Sequence, residues 1–198
     1  MTILSKTRIF LFWFLSLGVA LTSYRFLFLD LELSFPGMLD HIANRRLVLM
    51  VHISSAPVAL ALGLIQFLPR LRKARPALHR LGGRIYGLAV LTGGLSGLGL
   101  ALGSLDRPAA AAGFGLLAVL WLYSTARAIW LARSRRTDAH RRWMLRSYAL
   151  TFAAVTLRLE LPLFFVLGAM DYAQASNYVA WLGWLPNLVI AEFYIRRR

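Results

Sequence analysis

Apolar residues along this chain gather into six long stretches, and the polar residues fall in the gaps between them with a marked asymmetry of sign. The stretches occupy residues 9–29, 47–68, 85–105, 109–132, 143–170 and 178–195. Each can form a helix that crosses a hydrocarbon core, which takes about 20 residues. Lys6 and Arg8 precede the first stretch. Arg70, Arg72, Lys73, Arg75, Arg80 and Arg84 crowd the second gap, and Arg133, Arg135, Arg136, Arg141 and Arg142 the fourth. Arg196, Arg197 and Arg198 follow the last stretch. The other three gaps hold Arg45, Arg46 and Arg107 beside Asp30, Glu32, Asp40, Asp106 and Asp171. Positive charge concentrates in cytoplasmic loops, so the pattern predicts an all-α, polytopic transmembrane bundle of six helices with both termini cytoplasmic.

Composition strengthens this reading. The chain is 59% hydrophobic with a mean hydropathy of +0.61, more apolar than a water-soluble domain. A net charge of +15 ordinarily suggests nucleic acid. Here the basic residues flank membrane spans, so the partners read from them are the bilayer and anionic lipid head groups at the cytoplasmic face, not nucleic acid. The absence of cysteine excludes disulfides, thiolate catalysis and Cys-ligated metal. The first stretch is too long for a secretory signal and lacks an A-x-A end, so residues 1–198 read as a single transmembrane domain. Multi-pass insertion in a bacterial cytoplasmic (inner) membrane is the expected location.

Finer patterning predicts local structure. Leu39, Ile42 and Arg46 have the spacing of a short interfacial helix in the long outer gap. Pro76 suits the first turn of the third helix, and Thr137 or Asp138 can cap the fifth. Glycines four apart in the third helix (Gly83 and Gly87, Gly93 and Gly97, Gly99 and Gly103) place it at the bundle centre. The six tryptophans mostly stand near helix ends, as interface anchors do. A shift of 61 residues brings His79-Arg80 onto His140-Arg141, which suggests a duplicated hairpin.

Polar side chains inside a bilayer are costly and mark functional sites. His52, Ser55, Ala59, Gly63 and Gln66 share one face of the second helix. His140, Met144, Ser147, Thr151, Ala154 and Arg158 share one face of the fifth. Arg158 lies deep in an apolar stretch, and Glu160 points to another face, so Arg158 needs Asn187 or a bound anionic group as partner. A ligand site of His52, Gln66, Arg158, Asn187 and Glu192 follows from these positions.

His79 and His140 carry a second expectation. Both fall in the first turn of a rising helix, where the positive helix end and neighbouring arginines favour the neutral imidazole that ligates metal. Two histidines on facing helices can hold a b-type haem as axial ligands. Gly82, Gly83, Tyr86 and Met144 would then wall the slot, with Arg80, Arg84 and Arg141 on the propionates. No HExxH, nucleotide-binding glycine loop or Ser-His-Asp constellation at motif spacing is present, and no enzymatic activity is assigned.

His52, Gly63, Gln66-Phe67, HRLGGRIYG at 79–87, HRRWMLRSYALTFAAVTLR at 140–158 and WLGWLPNLVIAE at 181–192 resemble the bacterial membrane family known as domain of unknown function 2306. The resemblance covers about residues 47–192 and leaves the first helix and outer loop, 1–46, as an extension. It implies a polytopic membrane protein and no established activity. The HRLGG segment is also similar to cytochrome b561-like haem bundles, although here the histidines sit at helix starts. Three functions stay open: membrane electron transfer through one haem, binding or transport of an anionic or lipid-like ligand, and a structural or assembly role.

Overall fold

The computed structural model describes residues 3–197, and among these it is helical throughout, with no strand. Six helical rods are long and apolar enough to cross a membrane: Thr7–Leu27, Arg46–Gln66, Pro76–Leu102, Pro108–Arg133, Thr137–Leu167 and Tyr172–Arg196. The rods comprise α1 (Ile3–Ser23), α4 (Arg46–Gln66), α6 (Pro76–Leu102), α7 (Pro108–Arg133), the pair α8 (Thr137–Thr151) and α9 (Ala153–Leu167), and the pair α10 (Tyr172–Leu182) and α11 (Leu185–Arg196). Short helices α2 (Leu31–Ser34) and α3 (Leu39–Asn44) cap one end, and α5 (Pro69–Ala74) lies at the other. We call the end carrying α5 and the α7–α8 turn the basic end, and the opposite one the capped end.

Helix boundaries follow the backbone chemistry of their first residues. Pro76 opens α6 and Pro108 opens α7, where a missing N–H costs nothing. Thr137 is already helical and caps nothing, because Arg136 holds the N-cap position without a side-chain bond. The fifth rod breaks at Phe152, beside the Thr151 hydroxyl, which donates back to the Ser147 carbonyl at 2.9 Å. Such back-bonding bends helices. The sixth rod breaks at Gly183 and Trp184, just before Pro186, and Asn187 Nδ2 donates to the Gly183 carbonyl at 3.0 Å. The expected interfacial helix is α3, with Arg46 already the first residue of α4.

α6 is the wedge of the bundle, as its glycines predicted. It packs most extensively on α4, and also along α7. A Cβ on Gly97 would meet the His52 ring at 3.2 Å, and one on Gly99 would meet Val48 at 3.2 Å, so this face lies tight against α4. Gly87 and Gly94 leave room instead for Ile129 and Leu122 of α7. Packing is the force available here, since lipid offers no hydrophobic drive between helices. Two tryptophans depart from the anchor expectation: Trp121 and Trp184 are buried, at 7% and 2% exposed.

The middle of the bundle holds a hydrogen-bond cluster in which every proton has an acceptor. Thr125 donates to the Trp121 carbonyl at 2.8 Å, so Ser147 donates to Thr125 at 2.6 Å. Tyr86 then donates to Ser147 at 2.6 Å, and the Trp121 indole N–H to Thr151 at 2.8 Å. Tyr148 donates to the Leu60 carbonyl at 3.2 Å and leans its ring on Gly63. The cluster joins α4, α6, α7 and α8 without a single charge, which suits a low-dielectric interior.

Candidate functional site

The polar residues singled out in the sequence separate into three layers. At the basic end, His79 and His140 stand in the first turns of α6 and α8, within electrostatic reach of each other. His140 donates Nδ1–H to the Ala128 carbonyl at 2.8 Å, which fastens α8 to α7, while His79 Nδ1 is buried without a partner. The space beside Gly82 and Gly83, where a haem would lie, is occupied. The Gln66 amide lies directly over Gly82, and its Oε1 would sit 3.7 Å from a Cβ on Gly83. Tyr86 is 1% exposed with its hydroxyl engaged in the central cluster, and Met144 packs against the hydrophobic core. The expected walls thus enclose protein atoms, and these residues do not fit a flat macrocycle. Arg80 and Arg84 are exposed, and Arg141 pairs with Asp138 at 3.3 Å. Among the described residues no group of three or more His, Cys, Asp or Glu gathers to hold a metal ion.

Glu192 belongs to a second arrangement. Arg146 Nη2 donates to Glu192 Oε2 at 2.9 Å, Nε donates to the other oxygen, and the guanidinium lies 4.6 Å from the Trp143 ring centroid. This bidentate pair ties α8 to α11. Glu192 is therefore satisfied by pairing within the protein, while Gln66 packs over Gly82.

The third layer lies toward the capped end. His52 donates Nδ1–H to the Gly93 carbonyl at 2.9 Å, and among the described residues Nε2 meets no hydrogen-bonding partner. Arg158 on α9 stands within electrostatic reach of His52 and of Arg25, which follows α1. Its Nη1 donates to the Ala154 carbonyl at 2.8 Å and its Nη2 to Ser23 Oγ at 3.0 Å. No carboxylate pairs with Arg158 or Arg25 among the described residues. Arg158 is exposed, and its guanidinium lies where α9 meets the end of α1. The partner expected from the sixth rod is engaged elsewhere: Asn187 Nδ2 donates to Thr156 Oγ1 at 2.9 Å. Glu160 keeps one oxygen buried and unpartnered, away from Arg158.

Over residues 49–195 the chain matches the profile of DUF2306, described as a predicted membrane protein. The chain belongs to that family. No curated protein and no solved structure matches it. The DUF2306 region holds His52, Gln66, His79, His140, Arg158, Asn187 and Glu192, but the structure adds Ser23 and Arg25 from outside it. Arg25 carries a signal in the sequence, a lone cation near the end of an apolar stretch. Ser23 carries none, because a serine there reads equally well as a small packing residue.

An apolar groove flanks this layer. It is lined by Met50, Val51, Ser54, Val58, Leu88 and Thr92 among others, and forms an open surface groove of about 500 Å³ between α4 and α6. Tyr24, the neighbour of Arg25, donates its hydroxyl to the Ser54 carbonyl at 3.4 Å, so the turn bearing Arg25 sits against the wall of the groove.

Proposed function

We propose that this protein binds an anionic, lipid-like ligand in the outer half of a bacterial inner membrane, as a binding or transport bundle with Arg158 as its anchor. The observation that carries this reading is the direction of the guanidinium. An arginine with nothing to bind snorkels outward to the head groups. Arg158 instead folds back onto the carbonyl of Ala154, one turn deeper, and meets only neutral acceptors. Two neutral bonds leave a full positive charge uncompensated, which is costly inside a membrane unless an anion enters. Arg25 adds a second positive charge, and the apolar groove beside its turn suits an acyl chain.

The excess of arginine at the basic end supports cytoplasmic termini, with the Arg158 layer facing the outer leaflet. Exposed arginines there, among them Arg80 and Arg133, suit contact with anionic head groups on the cytoplasmic side.

The test is lipid retention. Protein in nanodiscs of phosphatidylcholine doped with phosphatidylglycerol should retain the anionic lipid, read by native mass spectrometry. Arg158→Leu should lower that retention by about tenfold or more, the weight of one charge-assisted contact. Equal retention by the variant would overturn the reading.

A further inference from the structure

The groups around Arg158 define more than a negative charge. We infer that the ligand is a phosphate ester carrying a free hydroxyl, a polyol head group whose phosphate meets Arg158 and Arg25 and whose hydroxyl donates to His52 Nε2. The inference rests on the anionic-ligand reading above and narrows it to one head-group class.

Three features support it. First, the ring of His52 is fixed. Nδ1–H is committed to the Gly93 carbonyl at 2.9 Å, and the Nδ1–Cε1 edge lies against the glycine face of α6 at Gly97. In the neutral ring this tautomer leaves Nε2 as a bare acceptor. An acceptor calls for a donor, and no described residue supplies one. Second, the donor must arrive on an anion: Arg158 bonds Ser23, which opens the turn bearing Arg25, and Tyr24 of that turn bonds Ser54, two residues from His52 on α4, so two cations border the site and repel a third. An ethanolamine or choline head group brings an ammonium into that field, whereas a glycerol hydroxyl is neutral. Third, the remaining neighbours are satisfied: Ser23 donates to the Val19 carbonyl at 2.6 Å and accepts from Arg158, and Ser96 donates to the Thr92 carbonyl at 2.7 Å. Among the described residues around Arg158, His52 Nε2 is left to read the ligand beyond its charge.

Ser23 and Arg25 precede the region shared with the family, so half of the cationic site comes from the chain's own first helix and its turn. Recognition of the head group is therefore shared by the turn after α1, by α4 and by α9.

The experiment compares four lipids in phosphatidylcholine nanodiscs: phosphatidylglycerol, phosphatidic acid, phosphatidylethanolamine and additional phosphatidylcholine. Retained lipid is read by native mass spectrometry. Phosphatidylglycerol should exceed phosphatidic acid by about fivefold, the weight of one hydrogen bond. His52→Phe should erase the preference, so that phosphatidylglycerol is retained no better than phosphatidic acid in that variant. His52→Gln retains an amide oxygen to accept and an amide N–H for Gly93, and should keep part of the preference. It also guards against misfolding of the Phe variant at the tight α4–α6 contact. Equal retention of the two anionic lipids by the natural protein would overturn the hydroxyl inference and leave the anionic reading standing. An equal fall of both lipids in His52→Phe, with the fold intact, would also overturn it and make His52 a helix fastener. Retention of neither anionic lipid above phosphatidylcholine would remove both readings. Soluble sn-glycerol 3-phosphate distinguishes the source: failure to displace bound phosphatidylglycerol places the ligand in the bilayer, while displacement supports the same recognition of a soluble ester.

Discussion

The middle layer and the capped-end layer of this bundle use similar polar side chains to opposite ends. In the middle, Tyr86, Trp121, Thr125, Ser147 and Thr151 place every proton on an acceptor, and no charge is present. Toward the capped end, among the described residues, Arg158 and Arg25 have no counter-charge and His52 Nε2 has no partner. Both layers lie within membrane-spanning helices, where an unmade hydrogen bond is expensive. Closure of the first cluster therefore reads as architecture, and the leftovers of the second read as a place for something else. Satisfaction, rather than polarity, separates structure from site.

The comparison breaks first if the middle layer tolerates disturbance. A Cβ on Gly63 would lie 2.5 Å from Tyr148 and 2.7 Å from Tyr86, two rings whose hydroxyls are held by the cluster. Neither ring can retreat without breaking bonds. Gly63→Ala should cost about 2–3 kcal/mol of unfolding free energy in detergent titration, the scale of overpacking a tight core. Gly18→Ala, where nothing lies within 4 Å, serves as the control and should be neutral or slightly stabilising. An undisturbed Gly63→Ala protein would show that the middle layer is loosely packed.

The pair at Arg146 and Glu192 sharpens the contrast, because it shows how this chain treats a cation that it keeps for structure. Both side chains are largely shielded, at 22% and 31% exposed, and bond bidentately. Arg146→Gln should cost about 1–2 kcal/mol, less than breaking a fully buried pair because water and head groups reach part of it. The exchange Arg146→Glu with Glu192→Arg should recover at least half of that loss in the same unfolding assay. No recovery would mean that stacking on Trp143, not the charge pair, holds α8 against α11.

Much of this was legible in the sequence, and what was missed has physical reasons. Six spans, the α3 cap helix and the central place of α6 followed from hydrophobic runs, charge asymmetry and glycine spacing. Haem binding finds no support: periodicity places His79 and His140 at one depth but cannot say what fills the space at Gly82 and Gly83. Gln66 fills it, and a glutamine on a polar stripe looks the same whether it lines a cavity or plugs one. Arg158 was visible as an unpaired cation, yet its helical partner was misread. Asn187 turns to Thr156, while Ser23 arrives from a helix 135 residues away in sequence.

A smaller effect tests the closed cluster directly. Tyr86→Phe removes one donor and leaves the protons of Ser147 and Thr151 on their existing acceptors, Thr125 and the Ser147 carbonyl. No buried hydrogen is orphaned, so the cost should be about 1 kcal/mol, typical of one hydrogen bond inside a membrane protein. Ser147→Ala leaves Tyr86 only the longer 2.9 Å contact to Thr151 and should cost more than Tyr86→Phe. The reverse order would mean that the protons are placed differently.

The smallest expected effect lies in the cap over the capped-end layer, where pH supplies the disturbance. His41 of α3 is 2% exposed and its Nε2–H donates to Ser104 Oγ at 2.9 Å, while the Ser104 hydroxyl donates to the Leu100 carbonyl at 3.2 Å. Nδ1 is therefore a bare acceptor, buried and without a partner. Burial holds the pKa below the ordinary histidine value; Arg107 and Arg45 push it further down, while Asp40 and Asp106 pull it up. In the undocked cap His41 titrates near its usual value of about 6.5. The folded value is depressed, so the undocked state takes up the proton first. Docking strength is thus full above about pH 6.5 and falls as the pH drops toward the folded value, by at most about 1.4 kcal/mol for each unit between the two. The chain has no cysteine, so Ile42→Cys provides a single reporter beneath α3. Its maleimide labelling, divided by that of the exposed Leu33→Cys to cancel thiol chemistry, should rise between pH 7 and pH 5.5. His41→Gln should flatten this rise, and a rise of equal size in that variant would assign the pH response to other groups in the cap.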